Sequence, residues 1–224
     1  MNYPMVHPEF DQSWLKYYGI PDFSMPQFIS IQESRDPYTT YHQRRVAELA
    51  RAIAGEMGLS EWNQKGIHTI GLLHDLGKIS IPAEILNKPG KISQYEFNII
   101  KKHSRIGYEI LEKVDFPWPV AKAVLQHHER LNGSGYPAGL TTADIILEAR
   151  IIVVSDVVEA ISSHRSYRPA LGLEVALREI KQHSGILYDP DVVGACLKLI
   201  DCQLAFDKLM SNAESSREDA TAKY

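Results

Sequence analysis

Seven side chains of the kind that binds metal ions lie at or near the ends of turns in predicted helices: His42, His74, Asp75, His103, His127, His128 and Asp156. Imidazole and carboxylate groups together suit iron, manganese, zinc, nickel or cobalt. The set contains no thiolate, which excludes a structural cysteine-zinc site. The residue types therefore predict a metal centre with nitrogen and oxygen ligands.

The adjacent pair His74 and Asp75 suggests more than one ion. Neighbouring helical residues diverge by about 100°, so the two side chains can serve two ions, or one can bridge while the other binds terminally. Two ions about 3.5 to 4 Å apart can share a hydroxide and bind both the attacked phosphoryl group and the departing oxygen. A carboxylate can reach one ion with each oxygen, which makes Asp75 the candidate bridging ligand.

Each of these residues alone has a simpler interpretation. A single histidine such as His103 is more often a hydrogen-bonded core or surface residue than a ligand. The run from His127 to Arg130 could likewise be a solvated helix end. The hypothesis of a metal centre depends on all seven residues taken together.

The elements that carry these residues are predicted to be helices. Apolar residues at spacings of three and four predict a helix from Tyr38 to Met57, and Ser60 caps the next helix, which ends at His74 and Asp75. Ser93 and Glu96 form a capping box. It opens a helix that carries five residues along one side: Phe97, Ile100, His103, Ile106 and Ile110. A further helix ends at His127 and His128.

The run 151–154 would suit a strand, because its residues are β-branched. We predict a helix, since the flanking residues are helix formers and no second strand-like run is present to pair with it. Asp189 and Pro190 predict the start of a last helix that continues through Leu209. The predicted fold class is all-α.

Composition limits the class of protein. With 224 residues, 44% of them hydrophobic, the chain can bury one core, and its net charge of -4 gives no general attraction to nucleic acid polymers. No signal-peptide pattern or apolar run of about eighteen residues is present, so we expect a cytoplasmic protein that does not enter a membrane. Cys196 and Cys202 fall on roughly opposite helix faces, which argues against a mutual disulfide.

Six short stretches carry a more specific signal: residues 36–42, 72–79, 85–90, 103–108, 127–137 and 167–170. The most specific stretch is 127–137, which begins with the run from His127 to Arg130 and ends in Gly135, Tyr136 and Pro137. In these stretches the sequence resembles the HD-GYP subset of the HD-domain phosphohydrolases. The resemblance extends over roughly residues 33–200. We expect a domain at 33–210, an irregular or partly helical lead-in at 1–32 and a polar, mobile tail at 211–224.

The resemblance implies a compact helical bundle of the HD-domain type with a metal centre in its core. It implies hydrolysis of cyclic di-GMP to linear pGpG, GMP or both through a metal-bridging hydroxide. By position, the seven residues match the family's metal ligands, and Lys78 matches a lysine near the reacting phosphate. Tyr136, with Gly135 and Pro137, matches a substrate-contacting loop whose simpler interpretation is a plain turn.

Arg165 and Arg168 lie three residues apart, so they can face one way and grip phosphate oxygens. Tyr38 stands where members with three metals have a glutamate, so we expect two metals. Iron or manganese come first, and zinc, nickel or cobalt are alternatives. Asn132 and the run 163–166 also depart from the usual family pattern, without removing a predicted ligand.

Other functions remain open at this point. The same ligands could hydrolyse another cyclic dinucleotide or a nucleotide. The chain could also be a weakly active signalling module whose Gly135–Pro137 loop contacts a protein such as a diguanylate cyclase, or a di-iron oxygenase. The sequence does not determine the native metal, the final product, upstream regulation or whether the chain forms a homodimer.

Overall fold

The protein is helical throughout the part of the chain that the structure describes. The computed structural model describes the backbone of residues 37–88, 90–163 and 170–201, and the side chains of 41–88, 90–163 and 170–200. Within these residues β-structure is limited to isolated bridges, which confirms the predicted all-α class. The helices are α1 (Pro37–Glu56), α2 (Glu61–Leu73), the 3-10 helix η1 (Leu76–Ser80), α3 (Ala83–Leu86), α4 (Gln94–Ile100), α5 (His103–Leu111), α6 (Val120–Gln126), α7 (Leu147–Ser162), α8 (Leu173–Gln182) and α9 (Pro190–Asp201). The predicted lead-in, the tail and Cys202 lie outside the described residues.

Side-chain caps begin the helices where the sequence predicts them. The Ser60 hydroxyl accepts a hydrogen bond from the backbone amide three residues later, at 3.3 Å. Ser93 and Glu96 form the reciprocal capping box, in which the Glu96 carboxylate accepts from the Ser93 amide at 2.8 Å. Asp189 accepts from the amide two residues later, at 2.9 Å, at the start of α9. These bonds satisfy amides that the first turn of a helix leaves unpaired.

Helix α7 is the central helix of the fold. It packs against α1, α2, α6, α8 and α9. The β-branched residues 151–154 are all buried within it, which confirms the helix prediction for this run. A helix surrounded by other helices is apolar on most of its faces, which explains why its composition resembles that of a strand.

The single helix predicted after Ser93 is wrong, because the chain forms two helices there. Helix α4 ends at Ile100 and α5 begins at His103. At the break, the Ile100 carbonyl accepts a hydrogen bond from Nδ1 of His103 at 2.6 Å, and the Lys101 carbonyl accepts from the Ser104 hydroxyl at 3.2 Å. Side chains thus bind carbonyls that backbone amides would bind in a continuous helix.

A close contact between η1 and α5 positions the chain after α2. A Cβ atom at Gly77 would lie 1.9 Å from the carbonyl oxygen of His103, so no residue with a side chain fits without a backbone shift. This contact holds the segment that follows His74 and Asp75 against the start of α5. It brings Asp75 and His103 to face each other.

Candidate metal centre

The seven predicted ligands converge on one buried pocket. Four of them, His74, Asp75, His103 and His127, are at most 2% exposed. Five helices contribute the set: His42 on α1, His74 and Asp75 directly after α2, His103 at the start of α5, His127 and His128 directly after α6, and Asp156 on α7. Nε2 of His42 lies 3.0 Å from Oδ1 of Asp156, although the two residues are 114 positions apart in the sequence.

The ligand atoms form two neighbouring sets. One set contains Asp75, His103, His127 and His128, and the other contains His42, His74 and Asp156. Within each set the ligand atoms all lie within 4.8 Å of one another. Each set offers nitrogen and oxygen donors of the kind that divalent transition metals accept.

Asp75 stands between the two sets. Its Oδ1 lies 3.4 Å from Nε2 of His103 and 4.0 Å from Nε2 of His127. Its Oδ2 lies 3.5 Å from Nε2 of His74 and 4.0 Å from Nε2 of His42. Each carboxylate oxygen therefore faces histidines of a different set, which is the geometry that a bridging carboxylate requires.

Backbone carbonyls orient three of the imidazoles in the same way. Nδ1 of His74 donates to the Gly71 carbonyl at 2.7 Å, and Nδ1 of His127 donates to the Val124 carbonyl at 2.6 Å. His103 makes the equivalent bond to Ile100. Because Nδ1 carries the proton in each case, the lone pair of Nε2 faces the pocket, as in metal-ligating histidines.

Glu159 is a functional candidate that the sequence prediction missed. Its carboxylate is hydrogen bonded to Nδ1 of His42 and lies 3.5 Å from Nε of Arg45. It therefore orients His42 as the carbonyls orient the other rings. The sequence contained a signal, since Glu159 lies three residues after Asp156 in the mainly apolar run 151–161. The structure buries its side chain to 2% exposure.

The histidines of the pocket differ in the direction of their pKa shifts. Burial lowers the pKa of His127 to about 3, and the neighbouring imidazoles add to this effect. Burial also lowers the pKa of His74, of His103 and, more strongly, of His128. In His42 the attraction of Glu159 and Asp156 outweighs burial and raises the pKa to about 9.

The carboxylate of Asp75 is held in its charged form. Burial by itself would raise the pKa of Asp75, but the Lys78 ammonium and the surrounding imidazoles outweigh burial and hold that pKa well below its usual value. Opposing effects act in the same way on Asp156, whose pKa His42 lowers against the effect of burial. Both carboxylates are thus ready to bind a cation.

The residues present fit metal ions. Nε2 of His103 lies 3.2 Å from Nε2 of His127 and 3.1 Å from Nε2 of His128. Neutral imidazoles whose lone pairs face one another repel unless a cation lies among them. Nε2 of His74 is buried without a hydrogen-bond partner, although a buried acceptor of this kind normally has one. A metal ion would satisfy these atoms.

Lys78 and Tyr136 border the ligands. Nζ of Lys78 lies 2.5 Å from Oδ2 of Asp75. The Tyr136 ring stacks on His128 with the ring centroids 4.6 Å apart and the planes at 29°. Both predicted functional residues thus contact a predicted metal ligand directly.

The loop that carries Tyr136 is anchored by Glu129, a second residue that the sequence prediction missed. The buried Glu129 carboxylate accepts hydrogen bonds from the amides of Ala138 and Leu140, at 2.7 and 2.9 Å. Gly135 packs so closely that a Cβ there would lie 2.4 Å from Cα of Glu129. The spacing of residue types in the sequence does not predict that Glu129 anchors this loop, because its hydrogen-bond donors are backbone amides.

Two of the predicted substrate contacts, Arg165 and Arg168, lie outside the described residues. Pro137 is exposed beside Tyr136, and Gly135 is partly buried against the backbone of the loop.

Among the helices that the structure describes, none has the length and apolar character needed to cross a lipid bilayer.

Comparison with known proteins identifies relatives. The family model described as HD domain matches residues 26–192. A cyclic di-GMP phosphodiesterase of Thermotoga maritima is 45% identical over 171 residues, which cover 75% of this chain and 46% of that protein. The 3'3'-cGAMP-specific phosphodiesterase 1 of Vibrio cholerae is 40% identical over 144 residues, which cover 64% of this chain and 33% of that protein.

The same fold occurs in a solved structure. A cyclic GMP-AMP specific phosphodiesterase of V. cholerae, V-cGAP3, superimposes with a TM-score of 0.61 at 21% identity, over 85% of this chain and 50% of that one. The chain spans less than half the length of each of the two sequence relatives, at 46% and 33%.

Proposed function

Because the chain belongs to the HD-domain family, and within it to the HD-GYP group, we propose that it is a metal-dependent phosphodiesterase that hydrolyses cyclic di-GMP to linear pGpG, GMP or both. The observation that carries this proposal is the position of Asp75, whose two oxygens face different sets of ligand atoms. Such an arrangement suits two cations that share a carboxylate.

We propose that the pocket holds two divalent ions. His103, His127 and His128 would hold one, His42, His74 and Asp156 would hold the other, and Asp75 would contact both. Iron or manganese suit these nitrogen and oxygen donors, as do zinc, nickel and cobalt. Bound there, the ions would lower the pKa of a water molecule and stabilise the charge on the phosphoryl group.

The protein's own residues then have defined tasks in hydrolysis. The reaction adds a water oxygen to phosphorus, breaks the bond from phosphorus to the departing ribose oxygen, and leaves a proton on that oxygen. Negative charge grows on the phosphoryl and departing oxygens during this step. The Lys78 ammonium, 2.5 Å from Asp75, lies where it can stabilise that charge.

Substrate contacts complete the proposal. The Tyr136 ring lies against His128, so a substrate phosphate in the pocket would bring its sugar or base to this ring. Arg165 and Arg168 stay predicted contacts to phosphate oxygens of the substrate. The domain boundaries at 33 and 210 also stay a prediction.

One relative supports a second candidate substrate. Because the V. cholerae protein at 40% identity is named as specific for 3'3'-cGAMP, this chain could act on the mixed dinucleotide instead. Steady-state turnover of cyclic di-GMP, 3'3'-cGAMP and bis(4-nitrophenyl) phosphate by anaerobically purified protein distinguishes the two. A kcat/KM that is higher for cyclic di-GMP than for 3'3'-cGAMP supports the first proposal, and the reverse order supports the second. Cleavage of only the nitrophenyl ester would contradict both.

A further inference from the structure

A cluster of two aromatic rings and one cation borders the metal pocket. This rim cluster consists of Phe97, Lys101 and Tyr136. The Phe97 and Tyr136 rings meet edge to face, with centroids 6.2 Å apart and planes at 84°. Nζ of Lys101 lies 5.2 Å from the centroid of Phe97 and 5.9 Å from that of Tyr136. The ammonium therefore attracts both rings.

The rim cluster is fixed relative to the predicted metal ligands. Lys101 follows Phe97 by four residues, so the two side chains share a face of α4. The carbonyl of Lys101 accepts from the Ser104 hydroxyl, and the preceding carbonyl binds His103. On its other side Tyr136 stacks on His128. A ligand that contacts these rings is therefore held at the mouth of the pocket.

Core packing does not account for Phe97. None of the side chains of α4 is fully buried, and Phe97 itself is 42% exposed. Part of an aromatic ring thus stays open to solvent beside a cation and next to the pocket. This combination suits a flat, electron-rich group, because such groups stack on aromatic side chains and accept hydrogen bonds from ammonium groups.

We infer that the rim cluster binds a guanine base of the cyclic dinucleotide. The base stacks on Phe97, and Lys101 donates hydrogen bonds to its O6 and N7 atoms. Guanine presents two acceptors at this edge, whereas adenine presents an amino group in place of O6. Lys101 would therefore favour guanine over adenine. The inference rests on the proposed function, since it assumes a cyclic dinucleotide in the pocket.

Replacement of Phe97 tests the stacking contact. Because stacking on one aromatic side chain contributes about 1–3 kcal/mol per base, Phe97→Ala should raise both Kd and KM for cyclic di-GMP about 5- to 140-fold. The kcat should change little, because Phe97 is not among the predicted metal ligands or the residues next to the reacting phosphate. Phe97→Tyr keeps the ring and should keep the affinity. Tyr95→Ala, at a 76% exposed ring on the same helix, is the matched control.

Replacement of Lys101 tests base preference. Lys101→Met should weaken the binding of cyclic di-GMP but not that of cyclic di-AMP. The ratio of the affinity for cyclic di-GMP to the affinity for cyclic di-AMP should therefore fall about tenfold. Lys102→Met removes an equal charge from the next, exposed residue and should leave the ratio unchanged. A fall in affinity that is equal for both ligands and for both lysine variants would indicate general charge attraction and would overturn the assignment of Lys101.

Calorimetric binding and turnover, measured on the same preparations, separate this inference from the proposed function. Binding of cyclic di-GMP that Phe97→Ala weakens, in a protein without turnover, supports the rim cluster and contradicts the phosphodiesterase. Turnover with an unchanged Kd and KM in both Phe97→Ala and Lys101→Met overturns the rim cluster and keeps the enzyme. A wild-type protein that neither binds nor cleaves cyclic di-GMP overturns both.

Discussion

Nζ of Lys78 lies 2.5 Å from Oδ2 of Asp75, the carboxylate that faces both sets of predicted metal ligands. The lysine contributes to holding the pKa of Asp75 well below its usual value. Its side chain is 23% exposed, so it lies between the buried ligands and solvent. A cation in this position can stabilise charge on a substrate without being a metal ligand.

Lys78→Met should therefore lower kcat for cyclic di-GMP about 100-fold, the usual effect of removing one charge-stabilising donor. The metal content should stay at the wild-type value, because lysine is not among the ligands. Kinetics and elemental analysis of the same sample check both expectations, and Lys113→Met, at an exposed position, is the control. Loss of metal in parallel with activity would instead assign Lys78 a role in holding Asp75.

Glu159 should control the metal affinity of the set that contains His42. Removal of an outer carboxylate that orients a ligating histidine typically costs about 10–100-fold in metal affinity. Glu159→Ala should weaken metal binding by this factor, and Glu159→Gln, which can still accept a bond from Nδ1, should weaken it less. Competition with a chromophoric chelator measures the change. Glu148→Ala, on the same helix, should bind metal as the wild type does, and an equal loss in that variant would argue for a general effect on α7.

Stability of the metal-free protein should fall on acidification. His127 has a pKa of about 3 in the folded protein and an ordinary value of 6.5, so it stays neutral when folded but takes up a proton when unfolded. Its contribution to stability is present above pH 6.5 and is lost as the pH falls towards 3. His127 should lower the free energy of unfolding by about 1.4 kcal/mol per pH unit in this window.

Urea unfolding of chelator-treated protein at several pH values between about 7 and 5 measures this slope, and His127→Asn should reduce it. His42 acts in the opposite sense. Because the pKa of His42 is about 9 in the folded protein, its contribution to the free energy of unfolding is complete below pH 6.5 and is lost as the pH rises through 9. A metal-free protein that is equally stable at both ends of the acidic window would contradict the burial of neutral imidazoles.

Gly135 should be required for the position of Tyr136. A methyl group at residue 135 would lie 2.4 Å from Cα of Glu129 and 2.5 Å from the His128 carbonyl oxygen, so the loop must shift. Gly135→Ala should raise the KM for cyclic di-GMP about tenfold, since a misplaced contact loses about 1.4 kcal/mol of binding. Gly194→Ala, on α9 with no atom within 4 Å of the added methyl group, should leave the KM unchanged. A wild-type KM in Gly135→Ala would show that the loop tolerates displacement.

Much of the pocket could be predicted from residue types and order. His74 and Asp75 sit together before a glycine, and His127 and His128 begin a specific run, so the sequence points to them directly. The structure brings all seven predicted residues together, although their ligation of metal stays a prediction. Helix α7 was also predictable, because its flanks favour helix even where residues 151–154 favour strand.

The misses have physical causes. At the break between α4 and α5 the side chains of His103 and Ser104 hydrogen bond to backbone carbonyls, and apolar spacing does not predict such bonds. The Glu129 carboxylate accepts hydrogen bonds from the backbone amides of Ala138 and Leu140, and the spacing of residue types does not predict such bonds. Glu159 was detectable as a carboxylate in the mainly apolar run 151–161, but its partner His42 lies on a helix 117 residues earlier in the chain.

The number of metal ions per chain shows whether the seven residues form a catalytic centre with two metals, when it is measured on anaerobically purified protein together with hydrolysis of cyclic di-GMP. We expect two ions per chain, release of pGpG or GMP, and the loss of both ions and turnover in the double variant His74→Ala, Asp75→Ala. Hydrolysis by protein that contains no bound metal, or full turnover in the double variant, would contradict this expectation.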